Sequence, residues 1–372
     1  IPVRFHQEEM FVLAVRAANE LQPFDGLLAL GDRPVVFAAL ASEELGLPGN
    51  SQTSARASVN KLEARKRFAH AGLPCPKFWE MSLDDSFDFT PTEIEFPCVL
   101  KPLALSGSRG VIRVDNPREL VAATQRVGRL LKRVDVRERR HSADNRLLLE
   151  SFIPGREYAL EGVVESGVLR VLALFDKPDP LDGPYFEESI YVTPSVASVE
   201  TQKRIKQAIV DAVQALGLRH GPVHAECRVN DRGVFVLEVA ARPIGGLCAR
   251  ALRFLAHGGV VSLEELLLRH SLGESVNRYR RESAASAVMM IPIPQAGVYR
   301  RTEQVASASK VPGVVDVVIT AKTDQRIEPL PEGGSYLGFI FARAPDVSEV
   351  VTAVRASHAR LRFVIETPIR MA

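Results

Sequence analysis

Apolar positions along the chain arrive in two rhythms. A spacing of three to four residues marks one buried face of a helix, and short continuous or alternating runs mark strands. Residues 8–20 and 33–46 read as helices, and between them Phe24-Asp25-Gly26-Leu27-Leu28-Ala29-Leu30 is expected to form a short buried strand. Gly31-Asp32 turns the chain into the second helix, and Gly46-Leu47-Pro48-Gly49-Asn50 ends it. Helix, strand and helix at this spacing belong to an α/β layer, which normally opens on a strand. A first strand upstream of Ile1 is therefore expected; Ile1 is also not an initiator methionine.

Asn60-Lys61-Leu62-Glu63 has the form of a capping box, with Asn60 as the cap and Glu63 reaching back to it. The helix it opens runs to Gly72 and breaks at Leu73-Pro74-Cys75-Pro76. Phe96-Pro97-Cys98-Val99-Leu100-Lys101-Pro102 reads as an apolar strand ending in a lysine, and Leu103-Ala104-Leu105-Ser106-Gly107-Ser108-Arg109-Gly110 follows it. A helix over roughly 116–132 comes next, then a basic, polar stretch from Lys132 to Asn145. Its run Arg137-Glu138-Arg139-Arg140-His141 reads as solvated surface. Strands are expected over 147–152, 156–164 and 168–175, a loop from Asp176 to Pro184, and an amphipathic helix over 198–216 with Ile205, Ile209, Val213 and Leu216 on one side. Residues 285–372 read as a separate α+β unit, with strands near 287–292, 313–320 and 336–343 and a helix near 346–361.

The most informative pattern runs from Val223 to Val239, where two alternating stretches flank a turn and predict a β-hairpin. A three-residue loop Asp231-Arg232-Gly233, with Gly233 left-handed, pairs Asn230 with Val234 and therefore Glu226 with Glu238. That register also places Ala225, Cys227 and Val229 on one face with Val239, Leu237 and Phe235, so both strands gain an apolar face together.

Composition narrows the setting. The 372 residues allow about two or three domains of roughly 100–200 residues each. With 46% hydrophobic and 25% charged residues the balance is that of a soluble globular protein. A formal net charge of +2 gives no global field for nucleic acid or an acidic membrane, and no apolar run approaches the ~20 residues of a membrane span. Cys75, Cys98, Cys227 and Cys248 form no CxxC pair, so neither structural zinc nor a disulfide framework is expected, and free thiols suit the cytoplasm. No GxxxxGK[ST] is present, which excludes a P-loop.

Candidate chemistry starts from the hairpin. Directly opposed residues have Cβ atoms ~4.5–5.5 Å apart. Two carboxylates that close repel or share a proton unless a cation lies between them, and one or two carboxylates completed by substrate phosphates are what Mg²⁺ prefers. A solvated hairpin with two incidental acids is the plain alternative; Arg242, four residues after Glu238, turns the reading toward an anion site. Lys101 at a strand end is a point charge for phosphates, or simply solvated, and the small residues after it let backbone N–H groups approach an anion.

In this order the motifs resemble the ATP-grasp superfamily. Its members carry an acid on one strand and Glu-x-Asn-x-Arg on the next, matched by Glu226 and by Glu238 through Arg242. They also carry a strand-ending lysine with a small-residue loop, matched by Lys101 and Ser106 to Gly110, and a segment Glu-x-Phe-Ile-x-Gly-x-Glu, matched by Glu150 to Glu157. Lys61 matches the first nucleotide lysine. Glu238 to Gly246, Gly183 to Ser195 and a C-terminal α+β module of this size resemble the L-amino-acid ligase branch. The resemblance covers about 50–270 closely. It departs at Ala240, where the family has Asn; one oxygen ligand of a second metal is missing there, or water takes its place.

The resemblance implies α/β and α+β classes, with an ATP-grasp fold. A partial N-terminal Rossmann-like domain is expected over 1–56 and an ATP-grasp domain over 57–284, with a mobile nucleotide-clamping lobe at about 90–152. The C-terminal α+β module would cover 285–372. ATP would lie between the lobe of Lys101 and that of Glu226 and Glu238. Lys61, Lys101, Ser106, Gly107 and Ser108 would meet its phosphates. Glu150, Ser151, Phe152 and Ile153 would line the adenine with backbone groups, and Glu157 would take the ribose. Glu226 and Glu238 would bind Mg²⁺ or Mn²⁺, and Arg242 would be catalytic.

Glu188, Tyr191, His224, Gly245 and Gly246 are the substrate-side candidates. Plain alternatives stand beside several of them: a structural histidine, a first-turn lysine at Lys61, core packing for Phe152 and Ile153, and a positive φ angle at Gly246. The implied reaction joins a carboxylate and an amine, probed best with amino acids, through an acyl phosphate with release of ADP and phosphate. The expected assembly is a cytoplasmic homodimer that binds neither nucleic acid nor membrane. Rival readings are a purine-pathway carboxylate ligase, a biotin-carboxylase-like enzyme, and a nucleotide-binding regulator whose catalysis has lapsed, as Ala240 suggests.

Overall fold

The computed structural model describes residues 7–83, 94–103, 105–137 and 145–367. Ile1 and the five residues after it, Ala104 after the candidate lysine, and residues 138–141 of the basic run lie outside the described residues. The chain folds into two compact units, one of residues 1–76, 155–174 and 197–282, the other of 77–154, 175–196 and 283–372.

The first unit begins with helices Glu8–Leu21, Asp32–Leu45, Gln52–Val59 and Lys61–His70. The strand expected over 24–30 does not form. Phe24 gives its N–H to the Asn19 side chain at 2.8 Å, and the half-exposed run after it joins no ladder among the described residues. Gln52–Val59, a helix not expected from the sequence, is built from small and polar residues that carry no apolar stripe; Ser51 caps it by accepting from Ser54 N at 3.2 Å. Asn60 caps the next helix as expected, accepting from the N–H groups of Leu62 and Glu63 at 3.0 and 3.2 Å. Glu63 takes the Lys66 ammonium at 3.0 Å rather than reaching back.

The main sheet of this unit has the strand order Val168–Asp176, Arg156–Glu165, Gly221–Asn230, Gly233–Ala240. Helix Val199–Leu216, opened by Ser198 and closed by left-handed Gly217, buries Ile205, Ile209, Val213 and Leu216 in one core with Val223, Ala225, Cys227, Val236 and Val239. The hairpin exists and Glu226 does face Glu238, but by another route. Asn230 Oδ1 accepts from Arg232 N at 2.9 Å and closes a tighter turn, so Asn230 pairs with Gly233 rather than Val234. A bulge between the pairs Cys227–Val236 and Glu226–Glu238 then restores the facing of the two acids. As a consequence Val234 and Val236 enter the core in place of the expected Phe235 and Leu237.

The second unit holds a sheet ordered Phe78–Ser82, Arg146–Ser151, Cys98–Pro102, Ile112–Val114. Helix Pro117–Leu131 packs into its core through Leu120, Ala123, Val127 and Leu130. The same unit contains strands Val314–Ile319, Gly338–Ala344, Ala285–Ile291 and Ile190–Thr193 in that spatial order. Helix Val347–His358 shares the core of these strands through Val350, Ala353 and Val354. The C-terminal strands and helix thus lie where their periodicity placed them.

Candidate active site

In the first unit, cross-strand register assembles a charged face. Glu161, His224 and Ala240 lie in one row across three strands, and Glu226 and Glu238 in the next. Lys61, first residue of its helix, brings Nζ to 3.3 Å from Glu238 Oε1. His224 Nδ1 bonds Glu161 Oε1, and its Nε2 lies 3.7 Å from Glu226 Oε1. Burial works to lower the His224 pKa, but the Glu161 and Glu226 carboxylates outweigh it and push it up to about 10. His224 is thus a cation fixed beside the acid pair.

Arg242 closes this face. Its Nε donates to Asp32 Oδ1 at 2.7 Å and its Nη2 to Asp32 Oδ2 at 3.3 Å, the two-pronged geometry in which guanidinium and carboxylate pair best. Burial works to raise the Asp32 pKa, yet Arg242 prevails and holds it below the usual carboxylate value. Glu161 also accepts from Ile244 N at 3.1 Å, so one buried carboxylate fixes both His224 and the chain just past Arg242. Gly246 has φ +61, the left-handed conformation that is the plain alternative to its substrate-side role, whereas a Cβ on Gly245 would meet nothing within 4 Å. Glu157 does not stand alone: Arg228, opposite it in the ladder, donates from Nε to Glu157 Oε2 at 2.9 Å.

In the second unit, Lys101 Nζ lies 2.6 Å from Glu150 Oε2 on the adjacent strand, and Glu150 is only 2% exposed. The Glu150 side chain is therefore the counter-ion of the candidate phosphate lysine. Gly107 and Ser108 are both left-handed, with φ +64 and +53. Among the described residues the N–H groups of Ser106, Gly107 and Ser108 have no protein acceptor. The loop is tied down beyond them: Gly110 N donates to Pro331 O at 2.9 Å and Arg109 Nε to Glu332 O at 2.8 Å. Ser151 N and Phe152 N are committed to Lys77 O and Pro97 O at 2.9 Å each, so any adenine reading falls to other groups of that segment. The Phe152 ring lies 4.5 Å under the Arg113 guanidinium and stacks near Phe186, and Ile153 is buried.

Glu188 and Tyr191 do meet. Tyr191 OH donates to Glu188 Oε1 at 2.7 Å, and the buried Lys177 ammonium reaches the same oxygen at 2.5 Å while lying 4.9 Å from the Tyr191 ring centre. Asp32, Glu161, Arg228 and Lys177 were not singled out from the sequence. Glu161 had a signal, since it shares a strand face with Glu157 in an otherwise apolar run. Asp32, an acid opening a helix, is indistinguishable from an ordinary N-terminal acid.

Comparison with known proteins bears on the domains and the fold. Residues 94–251 match the model of the ATP-grasp domain and residues 289–366 that of L-amino acid ligase C-terminal domain 2. The crystal structure of L-amino acid ligase from Bacillus licheniformis superposes with a TM-score of 0.82 at 27% identity, covering 98% of this chain and 87% of that one. Alanine–anticapsin ligase of Bacillus subtilis (strain 168) is 27% identical over 253 residues, 64% of this chain and 52% of the relative. Protein y4rH of Sinorhizobium fredii is 26% identical over 314 residues, 83% of this chain and 62% of the relative. The chain thus spans between about half and three-fifths of the length of these curated relatives. The chain thus carries an ATP-grasp domain over residues 94–251, followed over residues 289–366 by a domain of the L-amino acid ligase C-terminal kind.

Proposed function

We propose that the chain is an ATP-dependent ligase that joins the carboxylate of one amino acid to the amine of another through an acyl phosphate, releasing ADP and phosphate. The observation that carries this reading is the opposed pair Glu226 and Glu238 with Arg242 four residues on, in a chain that also has an L-amino acid ligase C-terminal domain. The relative alanine–anticapsin ligase is named for joining alanine to anticapsin, which supports an amino acid as one substrate here.

Two facing carboxylates are a hard-oxygen donor set that fits Mg²⁺ or Mn²⁺. Bound there with ATP, such an ion would neutralise charge on the transferring phosphoryl group. Lys61 partly screens Glu238, and Lys101 offers its charge to phosphates from a site where Glu150 fixes its position. The amides of Ser106 to Ser108, which have no protein acceptor among the described residues, supply donors to phosphate oxygens. Arg242, oriented by Asp32, stabilises the tetrahedral intermediate formed when the amine attacks, and the phosphate that departs. The cluster of Lys177, Glu188 and Tyr191 offers both charges to a zwitterionic amino acid. The assembly proposed with this activity is a cytoplasmic homodimer, which light scattering and cell fractionation would read. Among the described residues no helix is long and apolar enough to cross a membrane.

Ala240, buried opposite His224, favours a second reading as a nucleotide-binding regulator without turnover. ADP release measured over pairs of amino acids, with bicarbonate as a separate arm, decides between them. Release that needs two amino acids, and is abolished in Glu238→Gln, is expected; ATP binding without acceptor-dependent release sinks the ligase.

A further inference from the structure

We propose that Arg65 is a positioning residue for the metal-facing carboxylates, acting by fixing the bulge that brings Glu238 opposite Glu226. The inference rests on the reading of those two acids as metal ligands. The turn pairs Asn230 with Gly233, Val229 with Val234, Arg228 with Phe235 and Cys227 with Val236. Continued without interruption, that register would set Glu226 against Leu237 and Glu238 against Ala225. Because side chains alternate between faces, Glu238 would then point to the opposite side of the sheet from Glu226. One extra residue, Leu237, restores the facing pair, and beyond it Ala225 pairs with Val239 and His224 with Ala240. The acid pair exists only because of this bulge.

A bulge leaves the extra residue's backbone out of the ladder, and its carbonyl, here partly buried, takes a donor from elsewhere. Arg65 supplies one: its guanidinium donates to Leu237 O. The residue is 2% exposed and its guanidinium lies 5.8 Å from the Phe68 ring centre. On the neighbouring residue, Val236 N donates to Pro74 O at 3.4 Å, so the helix and the chain just after it grip the bulge from two directions. Lys61, one turn before Arg65 on the same helix, reaches Glu238 itself. One helix face thus presents an ammonium to the carboxylate and a guanidinium to the backbone that aims it. A buried guanidinium is unfavourable where an apolar residue could fill the volume, unless its donors are used.

The test titrates Mn²⁺ alone against the full chain, reading free Mn²⁺ by electron paramagnetic resonance, for wild type, E226Q, R65M and R65K, with a thermal melt of each. E226Q should weaken binding by at least about 10-fold. R65M should weaken it by about 10–100-fold, the range typical of groups that orient metal ligands. R65K, which keeps the charge but loses the planar fork, should fall between R65M and wild type, and decides the matter if R65M does not fold. If the Arg65 variants melt lower yet bind Mn²⁺ like wild type while E226Q does not, Arg65 is merely structural and the proposal is overturned. If E226Q itself binds like wild type, the metal reading of the acid pair is what fails.

Discussion

Lys101 and Glu150 neutralise each other at 2.6 Å, so the loss of either has two consequences that must be separated. Lys101→Ala strands a carboxylate that is 2% exposed, and breaking a buried pair from one side costs about 3–5 kcal/mol. The double variant Lys101→Ala/Glu150→Gln should recover most of that stability, since no charge is left uncompensated. It should not recover ATP affinity. We expect KM for ATP to rise in both variants while KM for the amine holds, because the role proposed for the lysine is to meet phosphates in the ground state. A double variant with normal KM for ATP would remove Lys101 from the phosphate site. Both residues were conspicuous in the sequence, but their pairing was not. It depends on strands Cys98–Pro102 and Arg146–Ser151 lying side by side, which no local pattern encodes.

His224 allows a second prediction at this scale. Its pKa is raised from an ordinary value of 6.5 to about 10, so the charged form is favoured by folding. The stability this contributes is fully present below about pH 6.5 and is lost as pH rises through about 10. The gap in melting temperature between wild type and His224→Gln should therefore be widest below pH 6.5 and shrink steadily above it. A gap independent of pH across that window would mean the imidazole is neutral when buried.

Among the elements, the loop 105–110 shows how far a local motif can be read. Its small residues pointed to an anion-binding turn, and the left-handed Gly107 and Ser108 fit that form. Invisible in sequence was its anchor more than two hundred residues away. Glu332 accepts from Arg109 Nε through its carbonyl, and its carboxylate takes Arg126 in two-pronged fashion at 2.5 and 2.8 Å. Arg126 also donates to Tyr185 OH at 2.5 Å, and Glu328 accepts from Arg133 Nη1 at 2.5 Å. The hairpin has the same character: alternation revealed the strands, while the side chain of Asn230 set the turn and a buried arginine the bulge. Glu332→Ala removes the two-pronged partner of Arg126 and leaves it its bond to Tyr185, which loosens the loop without touching any ATP-contact candidate. The expected result is a several-fold higher KM for ATP with kcat nearly preserved, and faster amide hydrogen exchange over 105–113. Unchanged exchange there would show that the bonds Gly110 and Arg109 donate to the Pro331 and Glu332 carbonyls suffice.

Taken whole, the chain does not fold as a string of consecutive domains. The order of helices and strands could be read along the sequence, but each compact unit is assembled from three separated stretches, and that interleaving follows from long-range strand pairing. The boundary expected at 284 and 285 falls where the chain enters Ala285–Ile291, whose central residues pair antiparallel with Ile190–Thr193. Ile190 and Val192 are buried in the same core as Ala287, Met289, Ile340 and Val354. Tyr191 sits between them, tied to Glu188 and Lys177 on the substrate-side loop. Residues 289–366, matched as a C-terminal domain, therefore supply part of the core that supports the candidate substrate cluster. A chain ending at residue 284 would leave Ile190–Thr193 without that neighbour and expose its apolar side chains, and burying each such side chain is worth about 1.5–3 kcal/mol. We expect residues 1–284 to show no cooperative melt and no stabilisation by ATP, and residues 285–372 alone to be no better, since they lack the strand from 190. Mixing the two pieces should restore part of the ATP-dependent shift, as the missing strand pair can re-form between separate chains. If residues 1–284 instead melt cooperatively and are stabilised by ATP like the full chain, the C-terminal domain is an appendage and the support argued for Tyr191 is illusory.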